Sequence, residues 1–172
     1  MNVIISRSLQ LWPSLLVVAL DQATKAMVRR RFELHESVTV IPGWFDLTRV
    51  HNTGAAYGFL DQADFPYKTV LLAVVASAAL VGLALYAATL EPAQKLTRAG
   101  LSLVMGGAAG NLIDRVTAGY VLDFVDLYRG TWHFWAFNVA DAAITIGVAL
   151  MILELLAPRL LSGRPEPARP AG

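Results

Sequence analysis

The chain has 172 residues, of which 56% are hydrophobic and only 16% charged, with a net charge of +1. That is too apolar for an ordinary soluble domain and, by length, one domain. With no basic surplus and no basic stripe interleaved with aromatics, nucleic-acid binding is excluded. Cysteine is absent, which rules out disulfides, thiolate metal sites and a thiol nucleophile.

A helix needs about 20 mostly apolar residues to cross the hydrocarbon core. The first candidate runs from Leu9 to Leu20 and continues through Asp21 and Lys25 to Val28. Arg7 ahead of an apolar run mimics a signal peptide. No small-x-small cleavage site follows, so it is read as an uncleaved span. Asp21 and Lys25, four apart, share a helix face and can neutralise each other. Arg29-Arg30-Arg31 then closes the helix at the interface.

Roughly forty residues separate this span from the next, a length that is usually functional. Val38 to Ile41, a turn at Pro42-Gly43, and Trp44 to Val50 predict a pair of short strands. The Gly-rich word Asn52-Thr53-Gly54-Ala55-Ala56-Tyr57-Gly58 lets backbone approach something closely. The second span, Thr69 to Leu90, is uncharged throughout.

The third span, Ala99 to Ile113, contains Gly106-Gly107-Ala108-Ala109-Gly110, small residues that allow close helix packing. It ends in Asn111-Leu112-Ile113-Asp114-Arg115, in which Asn111 and Asp114 share a face and Arg115 adds a permanent cation. The connection Val116 to Trp132 has strand character around Val121 to Leu127 and carries Asp123. Asp126 reads as a solvated loop residue. The fourth span, Phe134 to Leu153, is interrupted only by Asn138 and Asp141, three apart on one face. The tail Ser162 to Gly172 is Pro-rich and expected to be disordered.

The expected fold is thus an all-α membrane protein of four transmembrane helices, with a small β platform and a long loop on one face. A single domain over residues 1–161 precedes the tail 162–172. Orientation is not fixed by charge. The side carrying the termini has six Lys/Arg and the loop side eight, counting Lys25 and Arg115 inside the polar words. Trp44, Trp132 and Trp135 are expected to anchor the platform at the headgroups.

Acids at membrane depth are functional-site hypotheses by default. Asp123 and Asp141 are the favoured pair: two carboxylates brought together cannot both ionise cheaply, so one keeps a proton, which supplies a base and an acid at once. His35, His51 and His133 show no zinc spacing. A magnesium-type site from Asp114, Asp123 and Asp141 stays open, as does a small proton-coupled carrier relaying through Asp21, Asp114 and Asp141. The seven serines all lie outside the polar words, and no Gly-x-Ser-x-Gly turn is present.

Five words in order resemble the lipoprotein signal peptidase (signal peptidase II) family. They are Asp21-Gln22-x-Thr24-Lys25, Asn52-Thr53-Gly54-Ala55-Ala56, Gly107-Ala108-x-Gly110-Asn111-x-Ile113-Asp114-Arg115, Gly119-Tyr120-Val121-x-Asp123-Phe124 and Phe137-Asn138-Val139-Ala140-Asp141. The resemblance implies a bacterial inner-membrane aspartic endopeptidase with Asp123 and Asp141 as its catalytic dyad. It implies Asn52, Gly54, Asn111, Arg115 and Asn138 as substrate-binding or supporting groups, with Asp21, Lys25 and Asp114 supporting them. The substrate would be a diacylglyceryl-modified prolipoprotein, cut just before the lipidated Cys. The termini would be cytoplasmic and the site near the extracytoplasmic face. No metal or cofactor is implied. Membrane lipids and the substrate are the expected partners, and a monomer is expected.

Overall fold

The structure, a computed structural model, describes residues 11–54 and 67–156. The tail 162–172, and the part of the Gly-rich word from Ala55 to Gly58, lie outside the described residues. Among the described residues, four helices and four strands follow in the order α1 (Leu11–Arg31), β1 (Ser37–Ile41), β2 (Phe45–Asn52), α2 (Lys68–Thr89), α3 (Lys95–Ala118), β3 (Val121–Arg129), β4 (Trp132–His133) and α4 (Val139–Leu156).

Two helices, α2 and α4, are long and apolar enough to cross a membrane by length and composition. No residue of α2 is buried in the protein, although it is apolar throughout, so its side chains suit a lipid surrounding. The other two expected spans, α1 and α3, are helices of 21 and 24 residues that carry the polar words along their lengths.

Helix α3 packs against α1, α2 and α4. Its small residues make this approach close. A Cβ on Gly107 would strike the carbonyl oxygen of Ala140 in α4, and one on Gly110 would come within 2.6 Å of Asp21 Oδ2 in α1. Gly119, at φ +82°, ends α3 in the left-handed conformation that glycine adopts without strain.

The strands form one antiparallel sheet in the order β1-β2-β3-β4. Alternation through Val38-Thr39-Val40 and the Pro42-Gly43 turn account for the first hairpin, with Gly43 at φ +80°. Val28, Leu122 and Phe124 form a buried cluster beneath the sheet, joined by Phe32, Leu47, Tyr120, Val125 and Val139. This core fixes β3 over the ends of α1 and α4.

The last helix begins at Val139, not at Phe134 as expected. Phe134 and Phe137 pair with β3 instead: Phe134 N–H donates to Leu127 O at 2.8 Å, and Phe137 N–H to Val125 O at 3.0 Å. Asn138 then caps the helix, its Oδ1 accepting the Asp141 N–H at 3.0 Å. Asp126 is also not a loop residue. It sits in β3, opposite Asp46, and its Oδ2 lies 2.9 Å from His133 Nδ1.

Candidate active site

Two polar clusters lie on either side of Asn111. The first is an ion network inside the helical bundle. One helical turn apart on α1, Lys25 Nζ and Asp21 Oδ2 meet at 2.8 Å. The same ammonium lies 3.0 Å from Asp114 Oδ2 and donates to Asn111 Oδ1 at 2.9 Å. The side chains of Lys25, Asp21 and Asp114 are all fully buried. Burial of these charges is tolerable because each has several partners. Asp21 Oδ1 accepts the Ala140 N–H at 3.0 Å, one of the unpaired donors in the first turn of α4. Asp114 Oδ1 takes Arg29 Nη2 at 2.6 Å, and its Oδ2 accepts the Leu122 N–H at 3.1 Å. The network therefore ties α1, α3, α4 and the start of β3 to one another.

One sequence reading changes here. Asp114 pairs with Lys25 and Arg29, while its neighbour Arg115 donates from Nη2 to Gly54 O at 3.0 Å. Arg29, read from sequence only as an interface residue, is part of the network. Its position, four residues after Lys25 and eight after Asp21, puts all three on one helix face, a signal that was there to be used. With Asp114 committed to two cations and a backbone amide, it does not join Asp123 and Asp141 in a three-carboxylate set. Asp21 and Asp114 are likewise held by Lys25, which weighs against a carrier relay through them.

The second cluster contains Asp123 and Asp141. Asn138 links them: its Nδ2 donates to Asp123 Oδ1 at 2.7 Å, and its backbone N–H donates to Asp141 Oδ2 at 3.2 Å. Asn52 Nδ2 donates to the other oxygen of Asp123 at 3.0 Å, and Asn111 Nδ2 to Asp141 Oδ1 at 2.8 Å. Each carboxylate oxygen thus accepts one hydrogen bond and keeps a lone pair for a proton or water. Asn52 is itself fixed by the Gly54 N–H, which donates to its Oδ1 at 2.9 Å. Of the Gly-rich word, the described residues end at Gly54, whose carbonyl receives Arg115.

Asp123 is 2% exposed. Burial first, and the neighbouring Asp141 second, push its carboxyl up to about 7. A neutral carboxylic acid at neutral pH can donate a hydrogen bond to a carbonyl, while its partner accepts a proton.

Both carboxylates line a cavity of about 700 Å³ whose remaining walls are mostly apolar. Leu72, Val75 and Ala79 of α2, Ala142, Ile144 and Ile146 of α4, and Phe134 to Phe137 are among its lining residues. Asn52, Asn111 and Arg115 add the other polar groups. An apolar chamber with a few convergent polar groups at one end is suited to an amphipathic ligand.

Residues 14–157 match the family described as signal peptidase (SPase) II. The chain belongs to the signal peptidase II family. A lipoprotein signal peptidase of Syntrophotalea carbinolica is 47% identical over 138 residues, covering 80% of this chain and 84% of that protein. One from Geobacter metallireducens is 45% identical over 139 residues, covering 81% and 85%. A solved bacterial membrane enzyme, determined by the in meso method at 2.3 Å resolution, superposes with a TM-score of 0.76 at 29% identity, over 94% of this chain and 95% of that one. The relatives thus support both a protease of this family and a membrane enzyme fold.

Proposed function

We propose that this signal peptidase II family member is an aspartic endopeptidase that releases signal peptides from diacylglyceryl-modified prolipoproteins, cutting just before the lipidated Cys. Asp123 and Asp141 share one proton. The ionised member takes a proton from water, whose oxygen attacks the scissile carbonyl. The protonated member polarises that carbonyl by donating to its oxygen. In the tetrahedral adduct a proton passes to the leaving nitrogen, the C–N bond breaks, and the pair returns to its single-proton state. The products are a signal peptide with a new carboxyl end and a lipidated Cys with a free amine. No cofactor takes part.

The observation that carries this reading is the link through Asn138, which holds both carboxylates at the polar end of an apolar cavity. The names of the curated relatives supply the substrate class. The cavity between α2 and α4 suits acyl chains, and the sheet offers backbone groups to an extended peptide. All four helices cross the bacterial inner membrane. At about 1.5 Å per residue, α1 and α3 are long enough to do so. Their buried charges are paired inward, as intramembrane charges require. The termini are cytoplasmic, the site opens near the outer face, and one domain acts as a monomer.

Asp123→Asn and Asp141→Asn should each lose at least about 10³-fold of activity while remaining membrane-inserted and folded. The assay is release of the signal peptide from a diacylglyceryl-modified precursor. Full activity in either variant overturns the dyad.

A further inference from the structure

Three asparagines surround the carboxylate pair, and the direction in which each amide points decides whether it can hold a carboxylate. Asn52 and Asn138 are fixed by backbone donors, since the Gly54 N–H and the Asp141 N–H point at their Oδ1 atoms. Among the described residues no backbone donor meets Asn111 Oδ1. It receives instead Lys25 Nζ at 2.9 Å and Asn138 Nδ2 at 3.2 Å. Asn138 Nδ2 has two hydrogens for three acceptors, Asn111 Oδ1, Leu122 O and Asp123 Oδ1, so it is a weak constraint on Asn111. An ammonium has donors only. Facing Lys25, Asn111 must present its oxygen, and its NH₂ is then turned to Asp141 Oδ1 at 2.8 Å.

We infer that Lys25, which touches neither carboxylate of the pair, is a positioning residue that sets the Asn111 amide so that Asp141 always meets a donor. The inference rests on the dyad reading above. The charged groups around Asp141 are Asp21 and Lys25 from α1, Arg115 from α3 and Asp123 from β3.

Removing Lys25 alone would strand Asp21, so the test uses the charge-neutral variant Asp21→Asn/Lys25→Met, in which Asp114 keeps Arg29. The Asn111 amide is then free to turn its oxygen to Asp141, which demands a protonated partner. Expected are a fall in kcat of about tenfold or more with KM within twofold, and an acid limb of kcat moved up by about one pH unit. A merely structural role would lower the amount of folded enzyme and leave both the limb and kcat per folded molecule in place. Asn111→Asp is the second variant: it keeps Lys25 fully paired but replaces the NH₂ that faces Asp141 with a carboxylate oxygen and a second negative charge, so it should lose kcat and move the acid limb up in the same direction. Wild-type kcat and pH profile in either variant overturn the inference, and the dyad stands if Asp123→Asn and Asp141→Asn are inactive. Activity in one of those two sinks both.

Discussion

The Asn138 side-chain amide donates to Asp123 Oδ1 at 2.7 Å, while the next turn of its own helix places Asp141 over its backbone N–H. One residue thus joins a strand carboxylate to a helix carboxylate and caps the helix that carries the second.

Asn138→Ala separates these functions. Loss of the cap should lower stability by about 1 kcal/mol, read as a modest drop in the thermal midpoint. Loss of the link should reduce cleavage by about 10²-fold or more, far beyond what that destabilisation allows. Near-normal turnover per folded molecule would show that Asn52 and Asn111 hold the pair without it.

Asp123 gives a pH dependence with a defined sign. Its carboxyl lies at about 7 in the folded protein, above the ordinary carboxylate value of 3.8. Between those two values the native state holds a proton that the unfolded chain has released. This group therefore favours the fold at low pH and works against it as pH rises through about 7. Asp123→Asn should be more stable than the parent at pH 8 and show little gain at pH 4. Thermal unfolding in detergent at both pH values measures this; equal effects at the two would mean that Asp123 ionises freely in the fold. In the active enzyme the same carboxyl, if it must be the protonated member, makes cleavage decline as pH climbs past about 7.

Much of this arrangement was legible in the sequence, because the informative spacings are local. Asn138 and Asp141, three apart, fall on one helical face; Asp21 and Lys25, four apart, form the pair expected of them. The alternation from Val38 to Val40 and the Pro-Gly turn give the hairpin. Failures arose where partners are distant in the chain. Phe134 to Phe137 has a composition that suits the start of an apolar helix, but its backbone pairs with Leu127 and Val125, which no local pattern encodes. Arg29 sits in a run of three arginines that reads as an interface cluster, yet it meets Asp114 across the bundle.

Asp126 is the carboxylate of β3 that should not matter for chemistry. It lies three residues beyond Asp123, so its side chain alternates to the other face of the strand, where it meets His133. That imidazole is about half exposed, and exposed ion pairs contribute at most about 1 kcal/mol. Asp126→Asn should keep cleavage within about twofold and shift stability by less than that. An inactive Asp126→Asn protein of normal stability would mean that the wrong strand carboxylate had been assigned.

Gly107 links packing to the site. Its missing side chain lets α3 lie against the Ala140 carbonyl, and a Cβ there would also come within 2.8 Å of Ile144 Cγ1. Ala140 precedes Asp141, and Asn111 is one turn beyond Gly107 on α3, so this contact sets the span across which Asn111 Nδ2 reaches Asp141 Oδ1. Gly107→Val should force the helices apart and cost about 1–3 kcal/mol. Because catalytic hydrogen bonds tolerate little displacement, turnover should fall by about 10²-fold even in the folded fraction. Substitution at Gly82, where an added Cβ meets nothing within 4 Å, is the matched control on α2. Equal turnover in Gly107→Val and Gly82→Val would show that the approach of α3 to α4 has no part in holding the carboxylates.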